Sequence, residues 1–135
     1  MHNNPIIAII FKLVIPYIVI YALYIQIAGE NSPGGGFQAG AIFASGLIGL
    51  DMLKYLTISS HIMKNLLRIA AIGVMIYIMT GVYSIICGGN FLDYDLLWHI
   101  KPYGQQIGIF IVEIGIGLAV ASILSLIYVS FKVNE

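Results

Sequence analysis

Charge is what this chain has least of. Only 9% of its 135 positions are Asp, Glu, Lys or Arg, against about 25% in ordinary soluble domains. So little charge cannot cover a solvated surface, which excludes the soluble globular class before any motif is considered. The six basic and six acidic residues cancel, and no basic field is left to attract nucleic acid. A single cysteine, Cys87, excludes an intrachain disulfide, and no Cys/His group stands at metal-ligand spacing. The glycine-rich stretch is not followed by Lys-Ser or Lys-Thr, so it is not a phosphate-binding loop. No nucleophile has a base at a telling distance, which argues against an enzyme, and nothing calls for a cofactor. The N-terminus "MHNNPIIAIIFK" has neither a basic region nor a small-residue cleavage pattern, and it reads as the start of a retained helix.

What is present is apolar. Hydrophobic residues make up 60% of the chain, and the mean hydropathy is +0.98. A helix that crosses a bilayer needs roughly 20 mostly apolar residues. Residues 6–28, 37–56, 69–87 and 107–131 qualify. Backbone groups in hydrocarbon must be satisfied within each segment. The expectation is therefore an all-α integral membrane protein, a bundle of four transmembrane helices in a single membrane domain over residues 1–135.

The basic residues give this bundle a direction. Lys54, Lys64 and Arg68 cluster around the second connection, Lys132 follows the last span and Lys12 lies early in the first. Lys101 alone lies on the other side, in a loop with Asp93 and Asp95. The positive-inside rule then places both termini in the cytoplasm and Glu30 outside. Tyr94, Trp98 and Tyr103 belong at the outer interface, with Tyr55 and Tyr128 near the inner one. Pro16 removes a hydrogen bond inside the first span and predicts a kink there. Lys12 can snorkel toward the headgroups. Tyr17, Tyr21 and Tyr24 fall on one helical face and read as a packing stripe.

The segment "ENSPGGGFQAGAIFASG", from Glu30 to Gly46, joins the first two spans. Ser32 offers a capping hydroxyl and Pro33 suits a first helical turn. Gly34, Gly35 and Gly36 permit a tight reversal. Gly36, Gly40 and Ala44 then recur at four-residue spacing as a smooth ridge, and in lipid such ridges let helix backbones approach closely. The expected partners of this ridge, and of the fourth helix, are helices of larger neighbouring subunits.

Among the charges, Glu113 stands out. It lies well inside the fourth span, where burying an ionisable group costs at least ~2.5 kcal/mol and marks a candidate ion-path residue. Gly117 and Ala121 follow it at helical spacing, so its face abuts another helix. Asp51 and Lys54 are three apart and can pair at the cytoplasmic boundary. His2, His61 and His99 are isolated near interfaces. Cys87 reads as a small apolar filler. Thr80 and Ser84 can bond back to their own helix.

The motif "NSPGGGF", preceded by "YALYIQIAG", resembles the signature of the MnhB/MrpB-type subunits of the Mrp/Mnh-type multisubunit sodium/proton antiporters. The similarity continues in "GVMIYIMTGVYSI", "FLDYDLLW" and "GIFIVEIGIGLAVASIL", so it spans nearly the whole chain. Glu30 departs from the pattern, in which His often precedes the Asn. The resemblance implies a small subunit of a complex in the cell membrane, in which proton entry drives sodium or another monovalent cation out. Its partners would be other membrane subunits, lipid, sodium ions and protons. Related membrane-bound hydrogenase complexes use similar subunits, which leaves a structural or assembly role there as an alternative. An autonomous four-helix homodimeric transporter would carry an acid in its first span, and this chain has none there.

Overall fold

In a computed structural model, residues 5–29, 33–54, 58–96 and 103–133 are described. The described chain forms α1 (Pro5–Ala28), α2 (Gly36–Met52), α3 (Ser60–Ile86), a 3-10 turn (Tyr94–Leu96) and α4 (Tyr103–Val133). Three of these, α1, α3 and α4, are long and apolar enough to cross a membrane. The second helix has 17 residues and is about 25 Å long at 1.5 Å per residue. It ends four residues before the expected boundary at 56, whereas α3 starts nine residues before the expected 69. α1 continues as helix through Pro16.

The centre of the bundle is α4, with α2 on one side and α3 on the other. α2 and α4 run parallel in a constant register: Gly36 meets Glu113, Gly40 meets Gly117 and Asp51 meets Tyr128. A β-carbon added at Gly40 would lie 2.6 Å from the Gly117 carbonyl oxygen and 3.2 Å from the Ala121 nitrogen. Backbones this close require glycine. On the opposite side, Gly115 faces the Gly73 carbonyl, where a β-carbon would come within 2.7 Å. The buried side chains are correspondingly small, and among the described residues Ser84 and Ser125 are the largest that are fully enclosed. Their hydroxyls bond the Thr80 and Ala121 carbonyls of their own helices, and Thr80 bonds Ile76, so none of these hydroxyls is stranded by the packing.

The Gly36–Gly40–Ala44 ridge thus finds its partner inside the chain, which corrects the expectation of a contact with another subunit. Ala44 is fully buried. The reason is register: α4 carries its own small positions, Gly117, Ala121 and Ser125, along the facing stripe.

α1 is peripheral. It packs on α2 through Ile15 and Val19 against Gly49 and Gly46, and Ile15, Ala22 and Ile25 are its buried apolar residues. Tyr17, Tyr21 and Tyr24 point outward, with the rings of Tyr21 and Tyr24 stacked 6.4 Å apart. Near the other end of α4, Ile58, Leu66 and Val129 form a cluster of larger buried side chains.

Candidate functional site

The glycine turn and Glu113 are one structure. A β-carbon at Gly29 would lie 2.9 Å from Glu113 Oε2, and one at Gly35 would lie 3.0 Å from Oε1. At Gly36 it would collide with the Glu113 carbonyl oxygen. The carboxylate therefore rests directly on the backbone of the α1–α2 turn, and a side chain at Gly29 or Gly35 would press on it. Gly35 has φ 119° and ψ −178°, a conformation that side-chain-bearing residues rarely adopt.

Gly35 is also the N-cap of α2, and its carbonyl accepts from Ala39 N at 3.0 Å. The expectation that Ser32 caps this helix and Pro33 opens its first turn is corrected. α2 starts three residues later, and Pro33 and Gly34 are exposed and non-helical; Ser32 itself lies outside the described residues. The start is displaced because α2 can run beside α4 only from the point where the two backbones touch, at Gly36. The N-terminal end of a helix carries partial positive charge and unpaired N–H groups. Here it is turned toward a carboxylate supplied by the same chain.

Sequence reasoning missed a third member of this site. Gln26 of α1 reaches the α2–α4 crossing: its Oε1 lies 2.5 Å from the place a β-carbon on Gly117 would occupy, beside the Gly36 carbonyl. Its Nε2 is buried without a hydrogen-bond partner. The available signal was a lone amide in an otherwise apolar stretch. Below it, a half-open apolar groove of about 350 Å³ runs between the helices, with Ala39, Phe43, Ile114 and Ser122 among its lining residues.

Asp51 belongs to a separate cluster at the far end of α2. It is 2% exposed, and its carboxylate accepts from Ile58 N at 3.0 Å, Tyr128 Oη at 3.0 Å and Lys132 Nζ at 2.5 Å. The expected pairing with Lys54 is corrected: Lys54 lies past the helix end at φ 58°, and the ion pair forms with Lys132 of α4. α2 stops at Met52, so the helical spacing that would align positions 51 and 54 does not continue. Lys12 is exposed on α1, and His61 and Cys87 are exposed on α3 and at its end. His2, Trp98 and His99 lie outside the described residues. Among the described residues no group of His, Cys, Asp or Glu could hold a metal ion.

Comparison with known proteins gives this geometry a context. Residues 6–126 match the family described as a domain related to the MnhB subunit of Na+/H+ antiporter. The chain belongs to that family. It is 29% identical over 130 residues to the B-type Na+/H+ antiporter subunit of Bacillus subtilis (strain 168), covering 87% of this chain and 90% of that protein. Against the B-type Na+/H+ antiporter subunit of Alkalihalophilus pseudofirmus, identity is 30% over 132 residues, with the same coverage of 87% and 90%. The putative antiporter subunit mnhB2 of Staphylococcus aureus (strain Newman) is 28% identical over 140 residues, covering 96% and 95%. This MnhB-related chain is a multi-pass membrane protein, with three span-capable helices among the described residues, and its family is one of antiporter subunits. The match includes both the glycine turn and Glu113.

Proposed function

We propose that this chain is a small membrane subunit of a multisubunit sodium/proton antiporter, with other membrane subunits as partners. In this reading α2 is the fourth transmembrane element, both termini are cytoplasmic, and the antiporter exchanges protons for sodium or a related monovalent cation. The subunit contributes to assembly through its exposed outer surfaces, above all α1, and to the ion path through Glu113. The observation that carries the ion-path role is the seating of the Glu113 carboxylate on Gly29 and Gly35 at the start of α2. An ionisable group this far inside a spanning helix is costly unless its charge is met, and a helix N-terminus is a ready-made place to meet a negative one.

The test is Glu113→Gln in the assembled complex, which removes the charge and keeps the shape. An ion-path role predicts an intact complex on a native gel, with cation-dependent proton flux in vesicles strongly reduced or its pH optimum displaced. Loss of the chain from the complex would assign Glu113 to structure alone. Full flux with full assembly would remove it from the site.

A further inference from the structure

We propose that one stripe of α3 binds an anionic phospholipid of the leaflet on the side of the termini. Lys64 and Arg68 hold the phosphate, and Ile72, Met75 and Met79 lie along an acyl chain. The site is independent of the reading of Glu113.

α3 packs on α4 through a face that includes Leu66, Gly73 and Ser84, all buried. At 3.6 residues per turn, His61, Lys64, Arg68, Ile72, Met75 and Met79 fall on the opposite face. Each of them is exposed. The chain enters α3 on the α4 side, where Ile58 packs with Leu66 and Val129, so the stripe lies away from that connection. Its character changes once along its length, from basic to apolar. From Ile69 to Ile86 the helix has no charged residue, about 27 Å of it, close to the roughly 30 Å of a hydrocarbon core. Arg68 therefore stands at the edge of the hydrocarbon, and Lys64 stands one turn outside it, in the headgroup layer. From Arg68 to Met79 the stripe runs about 16 Å. That is half the core thickness, the depth one acyl chain reaches.

The protein does not meet the charges on this stripe. Among the described residues this end of the bundle holds one acid, Asp51, and it is enclosed and paired with Lys132. Arg68 Nη1 donates to the neutral Oδ1 of Asn65 at 3.3 Å, which leaves the guanidinium charge unbalanced. Basic groups in the first turns of a helix also oppose its macrodipole, so the helix gains nothing from them. Orientation in the membrane asks only for basic charge at this end, and exposed Lys54 supplies that from off the stripe. It does not ask for two charges four apart, in line with an exposed apolar strip. A lipid phosphate does: side chains at that spacing are about 5–6 Å apart at their β-carbons, close enough to bracket one phosphate. Juxtamembrane basic groups are drawn to anionic lipid in this way.

The test is photolabelling of the assembled complex in vesicles of phosphatidylcholine with a minor share of phosphatidylglycerol. A diazirine is placed mid-chain in one lipid or the other, at equal amount, and labelled peptides of this chain are measured by mass spectrometry. The peptide around Ile72 and Met75 should take up the phosphatidylglycerol probe in excess, about fivefold for each basic group engaged. Lys64→Gln alone, a change at an exposed position, should remove one such step. The Lys64→Gln/Arg68→Gln double variant, incorporated normally on a native gel, should bring the two probes to parity, while Lys54→Gln keeps the excess. Equal labelling by both probes in the unaltered complex would mean that the stripe meets lipid without regard to headgroup. Labelling by neither would mean that a helix of another subunit covers it. Either result overturns the site. An excess that survives in the charge variants, or that falls equally in Lys54→Gln, would assign it to the general charge of this end and overturn the site as well.

Discussion

Gly36 and Glu113 meet backbone to backbone, and a β-carbon on the glycine would collide with the carbonyl oxygen of the glutamate. This contact is the first in a register that repeats at Gly40 with Gly117 and at Asp51 with Tyr128. It sets the position of α2 along α4, and through it the depth at which the glycine turn meets the carboxylate.

Substitutions at the glycines of α2 should therefore divide by what they face. Gly36→Ala forces α2 away from α4 and is expected to cost about 3 kcal/mol, at the upper end of ordinary overpacking. Gly40→Leu should be worse and should remove the chain from the complex on a native gel. Gly46 faces the Cγ2 methyls of Val19 and Ile18, 3.4 and 3.6 Å from an added β-carbon, which is ordinary van der Waals contact. Gly46→Ala should be neutral or gain up to ~1 kcal/mol from helix propensity. Thermal denaturation of the purified complex ranks the three; equal losses at positions 36 and 46 would contradict the register.

Asp51 fastens the other end of the same helix pair. Asp51→Ala removes an acceptor shared by Ile58 N, Tyr128 and Lys132 and should destabilise the fold by about 3 kcal/mol, as expected when a buried pair loses one member. Lys132→Met should do less, because the Lys132 side chain is 48% exposed and two neutral donors remain on the carboxylate. Melting temperatures of the two variants check the order, and a larger loss in Lys132→Met would reverse the account.

The proposed cytoplasmic placement of the termini predicts one-sided labelling. Leu97→Cys in a Cys87→Ser background should react with an impermeant maleimide on intact cells. Reaction only after the inner face is opened would invert the topology.

Expressed alone and reconstituted, the chain should show no sodium-dependent proton flux. A single carboxylate resting on a turn, with the outward face of α1 exposed along its length, lacks the second half of a path across the bilayer. Robust flux from the isolated chain would revive the autonomous-transporter alternative.

Much of the architecture was legible in the sequence because hydrocarbon imposes a simple rule. Long apolar runs of about 20 residues satisfy their backbone groups in hydrocarbon as helix, so α1, α3 and α4 could be read from composition and length. The small-residue ridge at Gly36, Gly40 and Ala44 was legible for a related reason: close helix packing in lipid selects small side chains at helical spacing. Glu113 announced itself as an ionisable residue within an apolar span.

Tertiary structure decided which of these features meet. Helical spacing shows that Gly36 and Gly40 share a face, but nothing local states that Glu113 and Gly117 lie opposite them. For the same reason Asp51 invited a pairing with nearby Lys54 and took Lys132, 81 residues away. Gln26 carries no local signal of its partner, and only the packing of α1 against the α2–α4 pair places it beside Gly117. The start of α2 at Gly36 rather than Pro33 is likewise a long-range effect. Local capping preferences are worth about 1 kcal/mol, whereas the contact of two helix backbones along their length is worth more and sets where the helix can begin. Composition and periodicity determine that these segments are membrane helices and which faces are smooth; the register between α2 and α4 alone decides that the glycine turn closes on the carboxylate of Glu113.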